Sequence, residues 1–220
     1  MPIQALSRIR EGFFSFFCIL SQTVPTHDIF ESMDDLIKAA FARHAEAAEA
    51  TLKGVLPEIV QAGEMIAAAA KSGRRLFACG NGGSAADAQH LTTEWVSRYK
   101  NDRDPLPAIA LTVDTSALTA IGNDYGFEQL FARQVKALGA AGDVLVAITT
   151  SGQSKNVLLA LEEARKKNMK TIALTGSRGT NLKTMADVTI VIPTDETARI
   201  QEMHELIYHA WCECVDASLS

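Results

Sequence analysis

No two cysteines in this 220-residue sequence stand at the spacing of a zinc ribbon or a redox CxxC motif. Only four occur, Cys18, Cys79, Cys212 and Cys214, and the last two are separated by a single residue. A cysteine-built metal site is therefore not expected, and the pattern suits reduced, mostly buried thiols in a cytosolic protein. Cys79 ends an apolar run with no sequence feature nearby to activate it, so a nucleophilic role is not expected. Positive charge is also scarce. Lys and Arg number 21 against 26 Asp and Glu, a net charge of −5, which disfavours nonspecific nucleic-acid binding but leaves room for a local anion site. Neither G-x-G-x-x-G nor G-x-x-x-x-G-K-[ST] occurs, so dinucleotide and ATP binding are poorly supported. There is no helix-turn-helix candidate, internal repeat, low-complexity linker or second core.

What remains is ordinary globular composition, 47% hydrophobic and 21% charged. The length suits one α/β domain with helical additions, able to bury its core without disulfides or a structural metal. Residues 1–32 read apart from the rest. "LSRIREGFFSFFCILSQTV" has the outline of a weak signal peptide, but Gln22 interrupts it and no A-x-A site follows. The run is too short to span a membrane. A translational start at Met33 is the favoured reading, with an N-terminal helix used in oligomer packing as the other. Residues 1–32 are taken as an extension of uncertain status and 33–220 as the folded domain.

From Met33 to about Ser72 the sequence is rich in Ala, Leu, Glu and Lys, which predicts helix. Pro57 is placed near the start of a second helix and Gly73 at its end. Five apolar runs follow: "RRLFACG", "PAIALTV", "DVLVAIT", "KTIALTG" and "DVTIVIP". Each is apolar on both faces, as in a covered parallel sheet, and helical stretches lie between them. The expected fold is an α/β doubly wound five-stranded parallel sheet, flavodoxin-like, flanked by helices and closed by a long C-terminal helix. Ligands bind such sheets at the carboxyl ends of the strands.

Two strands end in unusual chemistry. "GNGGS" lets the backbone turn sharply ahead of a helix from about Ser84, whose free N–H groups suit an anion or polar ligand. The competing reading is a simple strand-to-helix turn with Ser84 as N-cap. "TTSGQS" places the hydroxyls of Thr149, Thr150, Ser151 and Ser154 before another helix. One cap needs one hydroxyl, so the set favours phosphate binding over capping by Ser151 or Ser154. His90 and Glu94, at i and i+4, share a helix face near the first loop; the alternative is a solvent-facing pair. On the C-terminal helix Gln201, Glu205 and His209 form one stripe, with His204 off it. In "IGNDYGF", Asn123 and Asp124 suit sugar hydroxyls, or simply a turn.

Together, "CGNGGSAADAQH", "TTEWVSRY", "PAIAL", "IGNDYGF", "AGDVLVAITTSGQS", "ALTG" and "ARIQEMHELIYH" resemble the SIS (sugar isomerase) fold, and within it the phosphoheptose isomerases, from about Met33 to Asp216. The resemblance implies that sedoheptulose 7-phosphate is converted to D-glycero-D-manno-heptose 7-phosphate through an enediol, supplying heptose for lipopolysaccharide core. It implies sugar contacts from Asn81, Gly82, Gly83, Asn123, Asp124 and Gln201, and phosphate contacts from Thr149, Thr150, Ser151 and Ser154. Glu94 matches the catalytic base and His209 its partner. In zinc-bearing members His90, Glu94, Gln201 and His209 match the ligands. A cytoplasmic homotetramer with sites at subunit contacts is further implied, with no membrane or direct nucleic-acid partner. The alternative is the non-enzymatic SIS-fold adaptor that binds the replication initiator protein. "SAADAQH" and "ARIQEMH" are similar to both, but the adaptor pattern lacks counterparts of Glu94 and His209. A sugar-phosphate sensor is disfavoured by the missing DNA-binding segment.

Overall fold

A computed structural model describes residues 32–219. The readings of residues 1–31, Cys18 among them, lie outside the described residues. The chain divides into two units with the boundary after Phe41. Of the first, the described residues are the opening turns of helix α1 (Met33–Lys71). Ser32 caps them, its hydroxyl accepting the Asp35 amide at 3.1 Å, and Asp34 and Asp35 complement the helix dipole. Helical geometry breaks at Val55 (φ −137°, ψ 17°), two residues before Pro57. Proline has no N–H to donate, so Pro57 falls where a second helical segment begins. Gly73, at φ 62°, ends that segment, its amide reaching Ala70 O at 3.0 Å.

The second unit alternates strand and helix: β1 (Leu76–Cys79), α2 (Gly83–Val96), β2 (Ala108–Ala110), α3 (Thr115–Tyr125), α4 (Leu130–Leu138), β3 (Val144–Thr149), α5 (Lys155–Lys166), β4 (Lys170–Gly176), β5 (Val188–Ile192) and α6 (Thr197–Leu219). The five strands form one all-parallel sheet in the order β2-β1-β3-β4-β5. All five expected strands are present, within the runs assigned to them.

Strand alternation sorts the core into two layers. Leu76, Val146, Ile148, Ile172 and Ile190 face Ile66, Leu91, Trp95, Met203 and Trp211 of α1, α2 and α6. Phe77, Leu145 and Ala147 face Leu130, Val135 and Leu161 of α4 and α5. Trp211 also donates its indole N–H to Ile59 O at 2.9 Å, tying α6 to α1.

The turn reading of "IGNDYGF" is corrected. Ile121–Tyr125 belongs to α3, and the chain turns only at Gly126, φ 89°. Asp114 caps α3 by accepting the Ala117 amide at 2.9 Å, while Leu118 and Ile121 pack on the second core layer. Cap and packing together override the local turn composition.

Candidate active site

The strand order reverses direction between β1 and β3, so the crevice beyond their carboxyl ends is the topological switch point. The two loops there are joined by side chains. Asn81, after β1, and Asn156, in the first turn of α5, exchange amide hydrogen bonds at 2.9 and 2.8 Å. Asn156 escaped the sequence reading, although its place just beyond the hydroxyl loop was the available signal.

Gly82, rather than Ser84, stands at the N-cap of α2, with φ 57° and no side-chain cap. Ser84 lies inside the helix and is buried. Gly83 abuts the Gln201 amide of α6, and a Cβ there would overlap that side chain. After β3, the Thr149 and Ser154 hydroxyls are 3.1 Å apart, and Ser151 Oγ accepts the Gln153 amide at 3.2 Å. Ser154 holds the N-cap position of α5 without a side-chain cap bond, its hydroxyl turned to Thr149. The Thr150 carbonyl accepts the Gly176 amide at 3.1 Å, joining this loop to the end of β4.

Helices α2 and α6 lie side by side and run the same way. Gly83 meets Gln201, His90 meets Tyr208 and His209, and Lys100, just past α2, meets Asp216. That register builds the chemical centre. His90 Nε2 lies 3.2 Å from Glu94 Oε1 and 3.4 Å from His209 Nε2. The His90–Glu94 pair is half-buried, its side chains 39% and 20% exposed, and it faces α6 rather than solvent alone. His90 Nδ1 is approached by the Tyr208 hydroxyl at 3.0 Å and Glu205 Oε1 at 3.5 Å. When Tyr208 donates to Nδ1, the ring proton sits on Nε2 and points at Glu94. Tyr99 stacks on the His209 ring at 5.5 Å between centroids.

Burial raises the Tyr208 hydroxyl pKa, keeping it a neutral donor. Burial also lifts Asp87, one turn before His90, to about 6; Glu205 adds to the shift and His90 opposes it. Burial pushes the Cys79 thiol up to about 12, which makes it inert, as expected. Asn123 and Asp124 are exposed at the end of α3, and the Asn123 amide donates to Asp124 at 2.8 Å. No hydrogen bond joins them to the other candidate residues among those described.

His204, off the stripe of Gln201, Glu205 and His209, is fully buried beside Thr175 of the sheet. Burial pulls its pKa down to about 4; the Thr175 main chain offsets part of this, yet neither ring nitrogen makes a well-formed hydrogen bond. A folded-state value below the ordinary ~6.5 means the unfolded chain takes up the proton first. The contribution of neutral His204 is complete above pH ~6.5 and is lost as pH falls through about 4. Over that window His204 is expected to account for on the order of 3 kcal/mol of acid destabilisation. Chemical denaturation of the wild type and His204→Leu at several pH values checks this: the variant should show a flatter pH dependence, and an identical slope would refute it.

The donor set fits a divalent metal. Ligand atoms of His90, Glu94 and His209 lie within 4.8 Å of one another, partly buried, and two imidazoles with a carboxylate are a normal zinc set.

The SIS domain family matches residues 39–176. A phosphoheptose isomerase from Helicobacter pylori is 48% identical over 184 residues, 84% of this chain and 96% of that protein. The solved phosphoheptose isomerase from Neisseria gonorrhoeae superposes with a TM-score of 0.79 at 46% identity, covering 84% of this chain and all of that one. The Francisella tularensis phosphoheptose isomerase gives a TM-score of 0.81 at 43% identity over 86% of this chain.

Proposed function

Because the chain belongs to the phosphoheptose isomerase family of SIS-domain proteins and is thus a phosphosugar isomerase, we propose that it interconverts sedoheptulose 7-phosphate and D-glycero-D-manno-heptose 7-phosphate with Glu94 and His209 as its proton-transfer pair. The observation that carries this reading is the convergence of Glu94 and His209 on His90 from two separate helices. In the forward direction the Glu94 carboxylate takes a proton from C1 of the ketose while the C2 oxygen gains one, giving the cis-enediol. A proton is then delivered to C2 and the O1 hydroxyl gives up its own, leaving the aldehyde at C1. His209 handles the proton traffic opposite Glu94, since an imidazole donates and accepts near neutral pH.

The hydroxyls of Thr149, Thr150, Ser151 and Ser154 hold the phosphate, aided by the free N–H groups opening α5. Asn81, Gly82, Gly83 and Gln201 line the sugar, and Asn123 and Asp124 complete it, supplied by the same or another subunit. His90, Glu94 and His209, with Gln201 as a weaker fourth ligand, would hold zinc, which when bound polarises the substrate carbonyl. Glu94 does not easily serve as a tight ligand and a free base at once, so its role depends on the metal state.

In this reading the enzyme is a cytoplasmic homotetramer with sites at subunit contacts, and its product supplies heptose for lipopolysaccharide core. Among the described residues no helix is long and apolar enough to cross a membrane. A coupled assay on purified protein, run before and after chelation alongside metal analysis, tests the proposal. Turnover of sedoheptulose 7-phosphate is expected, with activity falling as metal is stripped. Full activity without metal would remove zinc from the mechanism. Absence of turnover, together with tight binding to the replication initiator protein, would favour the adaptor instead.

A further inference from the structure

The two halves of the acid–base centre are carried by different helices, and one side chain outside both grips them. Arg103 lies between α2 and β2. Its Nη2 donates to Glu94 O at 2.9 Å and its Nη1 to Trp95 O at 3.0 Å. Both carbonyls belong to the last turn of α2, where no intrahelical donor remains. Its Nε donates to Asp216 Oδ1 at 2.9 Å. Asp216 sits on α6 two turns beyond His209, and its other oxygen accepts the Lys100 and Asn101 amides at 2.9 and 3.0 Å. The side chains of Arg103 and Asp216 are only 10% and 4% exposed.

A buried ion pair of this kind adds little net stability over an apolar replacement of the same shape. Its geometry is more informative than its charge. One planar guanidinium bonds the main chain of Glu94 itself and the helix that bears His209. We propose that Arg103 is a positioning residue: its fork sets the register of α2 against α6, and with it the separation of Glu94 and His209. The inference rests on the reading of those two residues as the proton-transfer pair. Proton transfer is sensitive to such placement, a displacement of about 1 Å costing on the order of 10²-fold in rate.

The test separates charge from fork. Arg103→Lys keeps a cation beside Asp216, but a lysine ammonium cannot reproduce three donors fixed in a plane. The proposal expects kcat of folded Arg103→Lys to fall about 10- to 100-fold, with KM within about twofold, because the phosphate loop belongs to β3 and α5. A purely structural ion pair predicts the reverse: a lower unfolding midpoint with kcat per folded enzyme unchanged, and that result overturns the proposal. Should Arg103→Lys not fold, Asp216→Asn, whose single oxygen cannot accept from both Arg103 Nε and the Lys100 and Asn101 amides, must show the same kcat-selective loss. Crystal structures of wild type and variant give a readout independent of turnover. A shifted Glu94–His209 separation supports the clamp and an unchanged one overturns it. A wild type with no turnover would defeat the isomerase reading, while this structural comparison would still judge the clamp.

Discussion

Replacing Glu94 with glutamine is expected to lower kcat by roughly 10³-fold, within the range a positioned general base contributes. The substitution removes a charge and a proton acceptor but almost no volume. Glu94 is partly exposed on α2, and its side chain faces His90 Nε2, so the amide still has a donor to face. The unfolding midpoint should move little, and KM should stay within about threefold, since uniform binding is largely retained. Exchange of the ketose C1 proton with deuterated solvent, followed by NMR, isolates the base from the rest of the reaction. Wild type should wash out that proton and Glu94→Gln should not. Retention of more than a tenth of the activity, or continued exchange, would move the base elsewhere.

The second large effect concerns the hydroxyl loop. Gly152→Ala is expected to destabilise the protein by about 2–4 kcal/mol and to raise KM about tenfold, the equivalent of about 1.4 kcal/mol in binding. Two independent causes act at this position. Gly152 has φ 68°, a conformation that costs an L-residue energy, and its Cβ would overlap the Gly179 Cα. A main-chain neighbour cannot rotate away as a side chain can. Either the loop from Thr149 to Ser154 shifts, or the segment after β4 does, and the Asn181 bond to Gly152 O at 3.1 Å is strained. Gly73→Ala is the matched control. Gly73 has a similar φ of 62° with nothing within 4 Å of the added carbon. It should cost about 1 kcal/mol and leave KM unchanged. An unaltered KM in Gly152→Ala would remove this loop from phosphate binding.

Much of this architecture was legible in the chain itself. Five apolar runs with helical intervals dictated a covered parallel sheet, because apolarity on both faces leaves few other arrangements. The clustering of hydroxyls after β3 and glycines after β1 marked the ligand end. Helical spacing alone put His90 beside Glu94, and Gln201 on the same stripe as His209. These signals share a short range: backbone preference and residue period act over one or two turns.

The tertiary structure decided which faces meet. Nothing local to α2 specifies that it runs parallel to α6 with His90 opposite Tyr208 and His209, 118 and 119 residues away. Asn81 with Asn156, Arg103 with Asp216, and the burial of His204 likewise arise only when the two core layers close on the sheet. Even at Asn123 and Asp124, where the local composition suited a turn as one of two readings, the chain is helical, because Asp114 caps the segment and Leu118 and Ile121 anchor it. The sequence by itself therefore determined the kinds of group present and the end of the sheet at which they gather. The meeting of His90 and Glu94 with His209 was decided by the packing of α2 on α6, since side chains over a hundred residues apart are brought into bonding distance only by burial of the faces that carry them.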